Sequence, residues 1–252
     1  MKIIFSPSKT QATSVIPETK TKSQIPFFQE STEYLLQKLK SLSEEELKKI
    51  FKTSDKITQE VFSLYQNIGE EIQGQVLASF TGTAFGQLDL DSYTQEDWKF
   101  AQEHVRILSG FYGVLRPLDQ IHKYRLDMND KIFAKGGDYK NLYDFWRGKV
   151  AEYFKNEEVI LNLASGEYSK MLSVQQRDQM VTVDFLIQKN GDLKSVSVYA
   201  KQQRGKMLNW IIKKKIKNPA DLDLYESDGF YFDRDLSSEK KRVFVKSLHS
   251  TR

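Results

Sequence analysis

The chain has 252 residues, no cysteine, and a formal net charge of +4 from 38 Lys and Arg against 34 Asp and Glu. Without a thiol there is no disulfide, no thiolate-held metal, no cysteine-ligated iron–sulfur cluster and no thiol redox chemistry. With 39% hydrophobic and 29% charged residues the composition is that of a folded chain, which at this length can bury roughly 70–75% of its unfolded surface.

The first strand is expected at residues 2–5, "KIIF", where a short apolar run ends at Ser6-Pro7. The N-terminus is too short in apolar residues for a secretory signal, and no apolar run reaches the length of a membrane span. A cytoplasmic protein with no membrane partner is therefore expected. Residues 26–68 read as helical. Ser43 with Glu46 forms a capping-box signature, and Ser54 or Asp55 is positioned to cap the following helix. A helix is expected from about Thr94, with Asp97 in its first turn, and another over "NLYDFWRGKVAEYF", where Leu142, Phe145, Trp146, Val150 and Phe154 recur at helical spacing. "EVILNLAS" reads as a strand. Two alternating runs around Asn190-Gly191, "VTVDFLIQK" and "DLKSVSVYA", predict a β-hairpin. A helix is expected at about 204–216, and "GFYFDRD" and "RVFVKSL" close the chain with strands. Strands at both ends with helices between them predict one α/β unit over residues 1–252, a mixed sheet surrounded by helices with an N-terminal helical segment.

Few chemistries are signalled. The three histidines, His104, His122 and His249, show no metal-ligand spacing, so neither metal nor cofactor is expected. No Gly-x-Ser-x-Gly elbow, Walker loop or Gly-x-Gly-x-x-Gly occurs. What stands out is polar residues following apparent strands. "SPSKT" puts Ser6, Ser8, Lys9 and Thr10 after the first, "ASGEY" puts Ser165, Glu167 and Tyr168 after "VILNL", with Asn162 just before, and "KQQRGK" puts Lys201, Arg204 and Lys206 after "VSVYA". Ligands in open α/β sheets commonly bind beyond strand carboxyl ends, so these groups predict an anion site.

The segment "ILSGFYGVLRPLDQIHKYRLDM" sets Arg116 and Arg125 among residues that favour burial. A buried guanidinium needs a partner. Either the two arginines pair with internal carboxylates, among which Asp119, Asp127 and Glu167 are candidates, or they add bidentate donors to the anion site. Residues 193–220 contain no Asp or Glu but carry eight Lys and Arg residues. This block either faces an anionic partner or finds its carboxylates elsewhere in the fold.

"SPSKT", "SDK", "LSGFYGVLRPLD", "YRLDM", "LYDFW", "NLASGEY", "AKQQRG" and "DGFYF" together resemble the YaaA family of bacterial peroxide-stress proteins, over nearly the whole chain. Asp127 stands where the family usually has Glu, and Phe85 where it often has Tyr. The resemblance implies a cytoplasmic α/β protein of unusual topology that protects against hydrogen peroxide by limiting iron-driven DNA damage. It also implies DNA binding through a basic cleft and a helix-hairpin-helix element. On this chain that element falls at Leu47–Tyr65, with Lys52, Ser54 and Lys56 around a turn that lacks the usual glycine.

Two functions follow. In the leading one, Lys9, Arg116, Arg125, Lys201, Arg204 and Lys206 neutralise the phosphates of nucleic acid, expected to be double-stranded DNA, without strong sequence preference. In the alternative, an enzyme acts on a nucleotide or small phosphorylated metabolite, with Lys9 or Glu167 as acid or base. The discriminating feature is spatial: an open groove favours a duplex, and an enclosed cavity favours a small ligand.

Overall fold

A computed structural model describes residues 1–16, 22–69, 73–133 and 137–247. His249 lies outside the described residues. Strand β1 is Lys2–Phe5, followed by three helices, α1 (Gln29–Lys40), α2 (Glu44–Phe51) and α3 (Asp55–Gln66). Next come β2 (Gly74–Gln75), α4 (Val76–Ser79), α5 (Gln95–His104), β3 (Val105–Ser109), β4 (Gly113–Leu115) and β5 (Gln120–Ile121). The second half contains α6 (Leu142–Tyr153), β6 (Ile160–Asn162), α7 (Gly166–Ser169), α8 (Val174–Gln179), β7 (Val181–Lys189) and β8 (Asp192–Lys194). Helix α9 (Ser197–Lys214) and strands β9 (Tyr231–Phe232) and β10 (Lys241–Ser247) complete it.

The main sheet has eight strands in the order β4-β3-β1-β6-β7-β10-β9, with β8 paired to β7. Its centre is parallel: β1 lies between β3 and β6, β6 beside β7, and β7 beside β10. The strands β4, β8 and β9 are antiparallel to their neighbours. Ile3, Ile4 and Phe5 are all buried, as expected of a parallel strand covered on both faces. Strand β7 instead alternates, with Val181, Val183, Phe185 and Ile187 buried. Helices α5 and α9 pack against each other, α5 also against β1 and β3, and α9 against β7.

The predicted capping box holds α2, and α5 begins after Thr94 as expected. Ser43 and Glu46 form a reciprocal capping box on α2, and Thr94 and Asp97 form one on α5. Ser54 occupies the N-cap of α3 without a side-chain bond to it.

One expected element is different. The hairpin turns at Asn190-Gly191, but its second arm stops at Lys194, and "SVYA" begins α9. As a helix, this stretch and its continuation bury Ala200, Met207, Leu208, Ile211 and Ile212, an apolar stripe that outweighs the local alternation of Val196 and Val198. Those two valines remain exposed. The helix expected at 204–216 thus begins seven residues earlier, and Lys201, Arg204 and Lys206 project from a helix rather than from a strand end.

Candidate functional site

The segment after β1 and the loop between α4 and Phe85 run together. Ala12 N–H donates to the Ser79 carbonyl at 2.8 Å, and Thr81 N–H to that of Thr10 at 3.1 Å. Helix α9 is seated on this loop at Gly205, where any Cβ would collide with the Ala84 carbonyl oxygen. This close approach brings Arg204 and Lys201 beside the β1 end. The β6 end is tied in by Ser6, whose Oγ accepts from the Ser165 amide at 2.8 Å.

The remaining wall is the irregular segment Tyr124–Asp127, held by side chains rather than by a sheet. Gln11 accepts from the Tyr124 amide and donates to its carbonyl, both at 3.0 Å. Tyr65 on α3 does the same for Arg125, at 3.0 and 2.6 Å, and Asp130 Oδ2 accepts from the Asp127 amide at 2.7 Å. Gly110 permits the approach, since a Cβ there would lie 2.6 Å from the Leu126 carbonyl oxygen.

Together these parts line a partly open pocket of about 460 Å³, within the size range of small-molecule sites, roughly 300–1,000 Å³. Lys9, Asp127, Glu167, Lys201 and Arg204 line it, with the side chains of Ser6, Ser8, Thr10 and Ser165. Asp127 is the hub of one side. Its Oδ2 meets Lys9 Nζ at 2.8 Å and its Oδ1 accepts from the Tyr168 hydroxyl at 2.8 Å. The Asp127 carboxylate holds the Lys9 pKa above its ordinary value.

Burial pushes the Glu167 carboxyl upward, and the Asp127 charge adds to the shift, while the Met128 and Asn129 amides oppose it. Its Oε1 is shielded and has no hydrogen-bond partner among the described residues. Asp130 behind Asp127 is pushed up to about 6, chiefly by burial. On the other side, Arg204 Nε is buried without a partner among the described residues, and the carboxylate whose charge reaches it is Asp184, not Asp127 or Glu167.

Lys9, Glu167, Lys201 and Arg204 therefore share one cavity with the predicted Ser6, Ser8, Thr10, Ser165 and Tyr168, whereas Arg116, Arg125, Asn162, Lys206 and the residues of the α2–α3 turn do not line it. Arg116 is held by Asp119, fully buried, through Nε at 2.9 Å and Nη2 at 2.8 Å, and Nη2 also donates to the Ile25 carbonyl. Arg125 lies near Lys9 and Asp130 by charge but outside the lining. Lys206 is paired with Asp228 at 2.7 Å. Asn162 turns into the protein, its Oδ1 accepting from the Ala164 amide. Lys52, in the left-handed conformation (φ 50°), Ser54 and Lys56 lie at the α2–α3 turn, where Lys48 pairs with Asp55.

The basic block is also partly neutralised from outside. Lys194 pairs with Asp192, Lys206 with Asp228, and both Lys213 and Lys215 with Asp97. Sequence reading did not foresee the Gly82–Phe85 wall or Asp130. The run "TGTA" of small polar residues after a short helix was the available signal for the wall. No helix among the described residues is long and apolar enough to cross a membrane.

The fold and the site define an α/β protein with a charged pocket at the carboxyl ends of two parallel strands. The chain belongs to the peroxide stress protein YaaA family, whose description matches residues 1–236. It is 41% identical over 229 residues to a UPF0246 protein of Crocosphaera subtropica, covering 88% of this chain and 90% of that one. It is 38% identical over 254 residues to a UPF0246 protein of Finegoldia magna, covering 99% and 100%. A UPF0246 protein of Agathobacter rectalis is 36% identical over 253 residues, covering 98% and 100%.

Proposed function

We propose that this protein serves the peroxide-stress role of its family by binding a small phosphate-bearing molecule in the cavity at the β1 and β6 ends. The observation that carries this reading is Arg204, a half-buried arginine whose Nε is shielded and without a partner among the described residues, beside Lys201 and a set of hydroxyl residues. A partly desolvated guanidinium with no bonded carboxylate among the described residues is favoured when an anion joins it, and guanidinium suits phosphate oxygens. Protection is then indirect, in the cytoplasm, through the bound metabolite and ultimately through limiting iron-driven damage. Direct peroxide destruction by a thiol is ruled out by the absence of cysteine.

The test is calorimetric titration of the full chain with inorganic phosphate. Binding is expected in the native protein and at least tenfold weaker in Arg204→Ala. Phosphate binding that is identical in both would overturn this reading.

A second reading, nucleic-acid binding, draws on the exposed Lys52 and Lys56 at the α2–α3 turn and on exposed Lys201. It is the weaker of the two, because Arg116 and Lys206 are engaged by Asp119 and Asp228. A fluorescent duplex titrated over a salt series separates them: steep salt dependence that becomes shallower in Lys52→Ala and Lys56→Ala supports the duplex.

A further inference from the structure

The charged groups of the cavity are segregated. Arg204 and Lys201 enter from α9, while Asp127 and Glu167 come from the 124–127 segment and α7. The two sets do not neutralise each other: Lys9 is the ion-pair partner of Asp127, and Asp184 is the carboxylate that acts on Arg204. A ligand filling this space meets an anion-binding end and an acceptor-rich end at once.

Ionised carboxylates only accept hydrogen bonds, each through several lone pairs. Asp127 spends one lone pair on Lys9 and one on Tyr168 and retains further capacity. The Met128 and Asn129 amides act on the Glu167 carboxylate, but its Oε1 has no hydrogen-bond partner among the described residues. Groups that satisfy this end must donate, and they must do so while the far end of the same molecule is anionic. An apolar phosphate ester, with no hydroxyl on its organic part, leaves these acceptors unsatisfied.

We infer that the cavity reads a phosphorylated polyol: the phosphate lies against Arg204 and Lys201, and adjacent hydroxyls donate to Asp127 and Glu167. This rests on the phosphate-binding reading above and names its ligand class. Such a molecule could be a free sugar phosphate or the ribose phosphate portion of a nucleotide, and both present the same hydroxyl and phosphate chemistry.

The experiment is calorimetric titration of the full chain with methyl phosphate, ribose 5-phosphate and adenosine monophosphate, in the native protein and in Glu167→Gln, Glu167→Met and Lys201→Ala. Ribose 5-phosphate is expected to bind roughly ten- to a hundredfold more tightly than methyl phosphate, the scale of hydrogen bonds to charged acceptors. Glu167→Met should remove most of that preference, and Glu167→Gln part of it, with methyl phosphate affinity unchanged. Lys201→Ala should weaken all three probes. Adenosine monophosphate binding more tightly than ribose 5-phosphate supports the nucleotide form, and weaker binding supports the free sugar phosphate. Equal affinity for methyl phosphate and ribose 5-phosphate overturns the polyol inference and leaves the phosphate site standing. Failure of every phosphate-bearing probe removes the site itself.

Discussion

The Tyr65 hydroxyl, fully buried on α3, closes both hydrogen bonds of the Arg125 peptide unit, donating to its carbonyl at 2.6 Å and accepting from its amide at 3.0 Å. A single phenol thus substitutes for a neighbouring strand and fixes the segment that carries Asp127. Tyr65→Phe removes the hydroxyl and leaves a buried N–H and C=O unpaired, at a cost of about 2–4 kcal/mol. Urea denaturation should show a lower midpoint with an unchanged slope. An unchanged midpoint would mean that solvent already satisfies Arg125.

Gly205 is the closest approach between α9 and the Ala84 loop. Gly205→Ala forces helix and loop apart and is expected to destabilise by about 1–3 kcal/mol, the usual range for overpacking. At this chain length that corresponds to a fall in Tm of roughly 2–12 °C. Ligand affinity should fall with it, since Arg204 and Lys201 ride on the displaced helix. A variant with native Tm and native affinity would show that the loop yields freely.

Arg116 and Arg204 should separate cleanly in mutagenesis. Arg116→Ala strands a buried Asp119 and should cost about 3 kcal/mol of stability while leaving ligand binding intact in the folded fraction. Arg204→Ala should do the opposite, weakening binding with little loss of stability, because no carboxylate is bonded to it among the described residues. Paired thermal melts and titrations decide the point.

Asp97 joins α5 to the end of α9 through Lys213 and Lys215. Burial opposes its charge, but the bonds from Lys215, the Thr94 amide and Lys213 prevail and hold its pKa at about 2. A carboxyl lowered from its usual 3.8 contributes stability that is complete above the unfolded value and disappears as pH falls through about 2. Water reaches both ammonium groups, so the contribution is on the order of 1 kcal/mol. Asp97→Asn should therefore be less stable than the native protein at pH 6, with the gap closing towards pH 2. A gap independent of pH would assign the effect to packing.

Glu167 has the reverse sign. Its carboxyl holds its proton more tightly folded than unfolded, so its effect on stability worsens as pH rises from the unfolded to the folded pKa. Glu167→Gln should raise Tm at pH 7 and not at pH 4, a stability cost carried by a residue that lines the candidate site. A lower Tm at pH 7 would show that the Met128 and Asn129 amides hold the charged form productively.

Local signals were legible where the chain decides its structure within a few residues. The capping box at Ser43, the helix start at Thr94, the turn at Asn190-Gly191 and the "KIIF" strand depend on neighbours in sequence. The start of α9 was not legible, because "SVSVY" alternates like a strand and only the apolar stripe from Ala200 onward, packed on β7, decides for helix. For Arg116 the carboxylate alternative holds, and its partner lies only three residues away at Asp119. Lys9, Glu167, Lys201 and Arg204 were legible as polar residues near turns and strand ends. Their convergence depends on bonds such as Gln11 to Tyr124 and Tyr65 to Arg125, which span 113 and 60 residues and leave no local pattern.

Lys9, Asp127, Glu167 and Arg204 come from four stretches of chain separated by tens of residues. The proposed site assembles only on folding, so a ligand that binds it would draw the folding equilibrium towards the native state. A saturating ligand at a hundred times its Kd would add about 2.7 kcal/mol. Thermal upshift of the intact protein is therefore a direct assay for a ligand of the proposed site: a compound library can be ranked by melting temperature alone.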